Sequence, residues 1–392
     1  MLEPLSSETI SSYLLDIGLC TPSDLESIQV ESAPPAKNFN LLVSFSDHRQ
    51  LLVKQERPHH DGIINHEFFN EWQFHRWLQQ LPEQDCLASS VSQILHFDPD
   101  HCILVYNYLN NYLDLFSFYY QNQIFPEAIA TDIGTVLANL HRVTFNQPEC
   151  RNFLDQVPKG KSPYRFGNPA KGIGRLSPEM FGSIPNNALK FFVLYQRYPS
   201  LGNAIADLET DWHPSCLTHN DLKLNNILVH REWEQFSTSS PPDQSMVRLI
   251  DWERCAWGDP AFDLGTIIAS YLGIWLSSLV VDPTIKLEES LRLAVTPLQV
   301  LQPSIAALTQ AYLTAFPGIE SARPNWLKRV VQFTGLALIH QIQAMIYYQK
   351  SFDNTGICML QVAKTLLCRP KQSVPTVFGM SESELISNPV IP

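Results

Sequence analysis

Apolar positions Ile10, Tyr13, Leu14 and Ile17 recur at helical spacing and predict a short leading helix over 7–18. Residues 39–45 and 51–55 are apolar runs that read as strands, with Ser46-Asp47-His48-Arg49-Gln50 as the hairpin turn between them. A helix follows over 67–80, with Phe68, Trp72, His75 and Leu78 on one stripe, and 101–108 reads as another strand. The first hundred residues are therefore expected to form a small sheet with one helix packed across it. Beyond Leu109 the pattern turns helical: 127–142 carries Ile129, Ile133, Val136, Leu137 and Leu140 on one face. Residues 148–180 are rich in Pro, Gly and Lys and read as loop, and helices are expected near 187–195 and 201–209. Short strands at 226–230 and 247–251 flank a flexible hairpin loop, 231–246. Helices resume at 264–281, 287–294, 303–315 and 325–350, and from Pro370 the chain reads as a loosely held tail. There is no internal repeat.

At 392 residues the chain is long for a single core, so two lobes are expected, and a 45% hydrophobic fraction supplies their interiors. The 27 basic residues against 39 acidic ones give a net charge of −12, which disfavours a nucleic-acid surface. The eight cysteines are scattered without a C-x-x-C pair, which fits free thiols in a reducing cytoplasm. No basic start or apolar run marks a secretory signal. Leu264 to Val281 carries no charged side chain and has the length of a membrane span. Its Gly265, Thr266, Ser270, Gly273, Ser277 and Ser278 make it too polar to insert well, so a buried helix is expected there, and no membrane partner.

The chemistry concentrates in His219-Asn220-Asp221-Leu222-Lys223-Leu224-Asn225-Asn226, then Leu249-Ile250-Asp251-Trp252-Glu253 and Gly258-Asp259-Pro260-Ala261-Phe262-Asp263-Leu264. Asp221 and Asn226 lie five apart on a loop that hands over to a strand, so one can face an acceptor hydroxyl while the other faces metal. Asp221 would orient or take the hydroxyl proton, and Asn226 would present its amide oxygen to Mg²⁺. Asp251, at the end of an apolar strand, is the second hard ligand. His219 would brace the loop, and Lys223 would reach a phosphate. Each string alone is weak; their order, spacing and strand context make them specific.

These residues resemble the aminoglycoside phosphotransferase and choline kinase family. His219-Asn220-Asp221-Leu222 with Asn226 resembles its H-G-D-x-x-x-x-N, and 250–253 with 258–264 resembles I-D-W-E followed by G-D-P-x-x-D-L. Ile133-Gly134 through Leu140-His141 is similar to the family helix ending in L-H. The likeness runs over roughly 8–350, with the specific motifs all in its C-terminal part. It implies an α+β, two-lobed protein-kinase-like fold: an N-lobe of small antiparallel sheet and one helix over 1–104, a hinge at 105–110, a mainly helical C-lobe over 111–369, and the tail 370–392. It also implies ATP as phosphate donor, with GTP left open. Lys54 matches the strand lysine that binds α- and β-phosphates, and Glu71 the helix glutamate that pairs with it, with Glu67 one turn earlier as the competitor. Residues 104–109 resemble the hinge, with Asn107 and Tyr108 as adenine contacts.

Two departures stand out. The turn Ser32-Ala33-Pro34-Pro35-Ala36-Lys37-Asn38 has no glycine, so Ser32, Lys37 and Asn38 must meet the nucleotide by side chain or leave the lid looser. Asn220 replaces the usual glycine of H-G-D, and asparagine tolerates left-handed backbone, which preserves the loop. Two lures fail. Gly160-Lys161-Ser162 imitates a Walker A end, but Asp155 stands where its first glycine belongs and Pro163 blocks the helix; Gly172-Ile173-Gly174 is a lone glycine pair.

Gly258 stands only seven positions after Asp251, where protein kinases carry a long polypeptide-docking segment, so the acceptor is expected to be a small molecule with a hydroxyl. Asp259 and Asp263 would brace the catalytic loop and cap the following helix. The acceptor pocket would draw on the 145–180 loop, the 264–281 helix or the Gln332–Gln349 helix with His340, Gln341 and Gln343; Asp282, Glu288, Glu289 and Asp353 are acids the sequence does not place. The expected partners are this small molecule and no nucleic acid, for a cytoplasmic monomer or homodimer. The alternative is a catalytically silent binding module of the same fold.

Overall fold

The computed structural model describes residues 5–32, 37–58, 64–81, 87–157, 165–173, 185, 188–236, 245–280 and 284–387. Outside the described residues lie the Gly160-Lys161-Ser162 string, the centre of the glycine-free turn (33–36), Gly174, the middle of the 231–246 loop (237–244), and Asp282; the Glu288 side chain is also undescribed. Two compact units emerge: Met1–Asp114 with Asn152–Tyr164 and Ile227–Cys255, and Leu115–Arg151 with Arg165–Asn226 and Ala256–Pro392.

In the first unit, strands β1 (Gln29–Ser32), β2 (Phe39–Ser44), β3 (Gln50–Gln55), β4 (Ile94–Asp98) and β5 (Ile103–Asn107) form an antiparallel sheet in the order β1-β2-β3-β5-β4. The hairpin turn closes with His48 in left-handed backbone and the Asp47 carboxylate accepting from the Arg49 N–H at 3.0 Å. Strand alternation sets the two faces. Leu41, Val43, Leu51 and Val53 pack on Ile10 and Leu14 of helix α1 (Ile10–Asp16). On the other face Leu52 pairs with Tyr106, and Lys54 with Leu104, and this side packs on Phe68 of helix α2 (Glu67–Leu78). The same alternation that buries Val53 therefore turns Lys54 towards α2. A second sheet, β6-β8-β9, joins Tyr112–Asp114, Ile227–His230 and Val247–Leu249.

The second unit contains β7 (Cys216–Thr218) paired with β10 (Ala256–Gly258). Its helices are α3 (Leu115–Asn122), α4 (Glu127–Thr144), α6 (Leu189–Gln196), α7 (Pro199–Thr210), α8 (Pro260–Ser277), α9 (Leu287–Arg292), α10 (Leu298–Ala315), α11 (Ile319–Ala322), α12 (Trp326–Ala344), α13 (Asn354–Cys368), α14 (Pro370–Phe378) and α15 (Glu382–Ser387). Helix α5 (Pro148–Leu154) lies where the loop begins in the sequence expectation. Helix α4 crosses α10 so closely at Gly134 that any side chain there would overlap the Leu308 carbonyl. Helix α8 is buried along most of its length, as the uncharged composition from Leu264 onward anticipates. The stretch Trp326–Gln349 is long and apolar enough to cross a membrane, with a mean hydropathy of 1.2, but 67% of that window is buried inside the fold.

Three expectations need correction. The segment from Pro370 is not a loose tail: α14 and α15 bury Val374, Val377, Phe378 and Leu385. Pro370 acts as a first-turn residue, where its missing N–H costs nothing. Helix α10 starts at Leu298 instead of 303 and carries Pro303 inside it, the lost hydrogen bond offset by burial of Leu298 and Leu301. Helix α13, between the expected helix ending at 350 and the expected tail, has no counterpart in the sequence reading.

Candidate active site

In the first unit the site is built on α2 and the segment after β9. Asp251 takes left-handed backbone, φ 65°, at the end of the strand, a conformation that aspartate adopts more readily than most residues. The next residue anchors it: Trp252 is fully buried, its ring stacks on Phe74 of α2 with centroids 4.0 Å apart, and its indole N–H donates to the Leu249 carbonyl at 3.1 Å. The Asn70 amide, also on α2, donates to the carbonyls of Glu253 (3.0 Å) and Cys255 (2.7 Å).

The Lys54 ammonium bonds the Asp251 carboxylate. Burial works against the charge of Lys54, but the carboxylates of Asp251 and Glu71 outweigh it and hold the ammonium above its ordinary range. Glu71 is fully buried on α2, and neither of its oxygens nor the facing Tyr106 hydroxyl completes a hydrogen bond of good geometry. Burial raises the Glu71 carboxyl to about 7 against the opposing pull of Lys54, with Asp251 adding to the rise. Glu67 belongs to a different pair: the Lys37 ammonium bonds Glu67 and lies 3.0 Å from Glu253. The Asn38 amide reaches Glu253 at 3.4 Å.

Lys54, Asp251, Asn107 and Tyr108 line one cleft of about 230 Å³, floored by Leu52 and Tyr106. The backbone N–H groups of Asn107 and Tyr108 already donate to the carbonyls of Gln93 (3.2 Å) and Gln50 (3.0 Å). Lys37, Asn38 and Glu71 do not line it.

In the second unit the loop after β7 carries Asp221. It buries Leu222, Leu224 and Asn226 in alternation, leaving Asp221 half-exposed and Lys223 and Asn225 exposed. Asn220 has φ 63°, the left-handed conformation that its place in the motif requires. The buried Asp263 of α8 holds this turn: one oxygen accepts from the His219 N–H at 2.6 Å and the other from the Asn220 N–H at 2.8 Å. His141, at the end of α4, bridges Asp263 (3.3 Å) and the Tyr312 hydroxyl (2.8 Å). His219 is fully buried, and its Nδ1 accepts from the Asp221 N–H at 3.3 Å, a brace and not a surface group. Thr218 donates to the Asn220 side-chain oxygen at 2.9 Å, and a side chain at Gly258 would overlap that threonine hydroxyl. Asp259 caps α8 through the Ala261 N–H at 3.2 Å and pairs with Arg323 at 3.1 Å.

Within the loop, the Asn226 amide nitrogen donates to the Asp221 carbonyl at 2.8 Å and approaches its carboxylate at 3.4 Å. That bond leaves the amide oxygen as the atom available to a cation. The Lys223 ammonium lies 3.0 Å from the Asp221 carboxylate. Beside Lys223, Leu224 and Asn225 opens a cavity of about 560 Å³, walled by α3 and α8. Gln341 reaches it; His340 and Gln343 do not, being bonded to the carbonyls of Pro169 (3.0 Å) and Ile173 (3.4 Å).

His141, Asn70 and Trp252 were not assigned roles from the sequence. His141 sits in the L-H string, a signal that was present, whereas Asn70 has none beyond its place beside Glu71.

The antiparallel sheet with one helix in the first unit and the mainly helical second unit are those of a protein-kinase-like fold, a fold that serves phosphoryl transfer. The profile of the APH phosphotransferase enzyme family matches residues 40–297, more than half of the chain, and the protein belongs to that family. It is accordingly a phosphotransferase. Among solved structures, the chain is similar to a Plasmodium vivax ethanolamine kinase at 16% identity and a TM-score of 0.54, covering 92% of this chain and 90% of that one. A Cryptosporidium parvum choline kinase matches at 14% identity and a TM-score of 0.50, covering 95% and 98%. No curated protein matches the sequence.

Proposed function

We propose that the protein moves the γ-phosphate of ATP to a hydroxyl of a small molecule in a magnesium-dependent reaction, with Asp221 as the base. The observation that carries this reading is the bond from the Asn226 amide to Asp221, 2.8 Å at the carbonyl, by which one loop offers a carboxylate to a hydroxyl and an amide oxygen to a cation. The donor set fits the metal: Asn226 and Asp251 supply hard oxygen ligands of the kind magnesium takes. Magnesium held there would neutralise charge on the phosphates.

The remaining roles fall to this chain's own side chains. Asp221 takes the proton of the attacking hydroxyl, and His219 keeps its loop in place. Lys223, 3.0 Å from Asp221, contacts the transferred phosphate. Lys54 binds the α- and β-phosphates and has two carboxylates to choose between; its passage from Asp251 to Glu71 frees Asp251 as a ligand. Asn107 and Tyr108 contact the nucleotide. The cavity beside Lys223 receives the acceptor.

Asp221→Ala should lower kcat roughly 10³-fold, in the range for loss of a general base, while ADP with Mg²⁺ still raises the melting temperature of the variant. Activity within a few-fold of the wild type would remove Asp221 from this role. No stabilisation of the wild type by ADP would favour a silent module.

A further inference from the structure

The cavity beside the catalytic loop is distinctive in what its wall lacks. Among the described residues lining its 560 Å³ there is no carboxylate, and Lys223 is the one charged side chain. Helix α3 supplies Phe116, Tyr119 and Tyr120, and Ile274 and Val295 continue the apolar surface. Phe116 and Tyr120 stack with ring centroids 6.3 Å apart, yet Phe116 is 46% exposed, Tyr120 73% and Val295 79%. Large apolar side chains gathered at the mouth of a cavity and left facing water are a mark of a binding surface.

The polar groups of this wall are largely spent inside the protein. The Tyr119 hydroxyl pairs with that of Tyr271 at 2.7 Å, so Tyr119 offers its ring. Ser270 donates to the Thr266 carbonyl at 3.1 Å, and Ser278 to that of Trp275 at 2.8 Å. Gln341 remains as an amide able to orient a ligand.

From this we infer that the acceptor is a hydroxyl-bearing molecule with an uncharged, largely apolar body, and not a polycation. The inference rests on the reading of this cavity as the acceptor site of a kinase. Among the described residues of this wall a polycation would find no carboxylate for its ammonium groups beyond the single Asp221 that Lys223 already engages. Aromatic faces attract a single quaternary ammonium, but a two-carbon amino alcohol leaves most of a cavity of this size empty and meets the same lysine. A cavity of several hundred Å³ suits a ligand with a ring system or an alkyl chain of several carbons.

The test is calorimetric titration of the full chain, without nucleotide, with hexyl β-D-glucopyranoside, methyl β-D-glucopyranoside, choline and a 2-deoxystreptamine aminoglycoside. The two glucosides share their hydroxyls and differ in apolar length. The hexyl compound should bind at least about 30-fold tighter, given the contribution of each buried methylene. Tyr120→Ala and Ser277→Asp, both at exposed positions, should weaken hexyl glucoside binding, and Ser277→Asp should raise affinity for the aminoglycoside. Equal binding of the two glucosides, no binding of the hexyl compound, or tighter binding of choline or the aminoglycoside by the wild type would overturn the inference. Failure of the kinase reading looks different: the hexyl preference stands, but no hydroxyl compound elicits ADP release.

Discussion

Two aspartates that follow short strands, Asp251 in the first unit and Asp221 in the second, are held in place by different physics. Asp251 sits in a nest of charge, bonded by Lys54 and near the buried Glu71, and its backbone is pinned by an aromatic stack. Asp221 sits in a loop whose backbone N–H groups are bound by one buried carboxylate, Asp263. The first arrangement can exchange partners, because several carboxylates compete for two lysines. The second has one geometry, because a carboxylate saturated by backbone donors has nowhere else to go. On the proposed function, Asp251 as a cation ligand profits from exchange, and Asp221 as a general base profits from being fixed.

Removing the anchor on each side should expose this difference. Trp252→Ala leaves a cavity against Phe74 and should cost about 3–5 kcal/mol in denaturant unfolding, with loss of the ADP-dependent rise in melting temperature. Asp263→Asn keeps the shape but turns charged acceptors into an amide, and should cost about 2–3 kcal/mol. That variant should lose kcat while its stabilisation by ADP persists; a fall in both together would mean that the two aspartates are not held independently.

The smallest effect concerns pH. Between about 4.5 and 7 the native Glu71 carboxyl keeps a proton that the unfolded chain has released. The folded state therefore gains stability as pH falls through that window, and loses it as pH rises. Glu56, raised to about 6 by burial, acts in the same direction, and His75, lowered to about 3 by burial, acts in the opposite one, so the contribution must be isolated by difference. Wild-type stability relative to Glu71→Gln should rise from pH 7 to 4.5 and stay level above 7. A constant difference across the window would show that Glu71 is ionised throughout.

Much of the fold was legible where alternation or helical spacing was strong. The strands at Phe39–Ser44 and Gln50–Gln55 and the helices at Glu67–Leu78 and Glu127–Thr144 lie within a few residues of their expected bounds. What escaped is physically different. Strand β1 reads Gln-Val-Glu-Ser and is mostly exposed, so it has no buried face to give it a period. Helices α14 and α10 hide behind prolines that read as breakers, although burial of Val374 and Phe378 in one, and Leu301 in the other, overrides that local preference. At the site, the left-handed backbone of Asn220 was legible from its place where the resembled motif has glycine, together with the tolerance of asparagine for that conformation. The choice between Glu71 and Glu67 was not, since both lie on one face of α2 a turn apart. Only the placement of Lys37 separates them, by engaging Glu67 and leaving Glu71 to the field of Lys54.

The discontinuous make-up of the first unit has a consequence for how the chain is born. Its main sheet is complete in sequence by Asn107, but the β8 and β9 strands and the Trp252 that stacks on Phe74 come from residues 227–255. At the usual pace of translation, about 10–30 s separate the emergence of Asp114 from that of Cys255. Through that interval β6 has emerged without its partner strand β8, and Phe74 of α2 without its indole. The ribosome thus delivers a half-built domain that must wait, exposed, for the segment that brings Asp251.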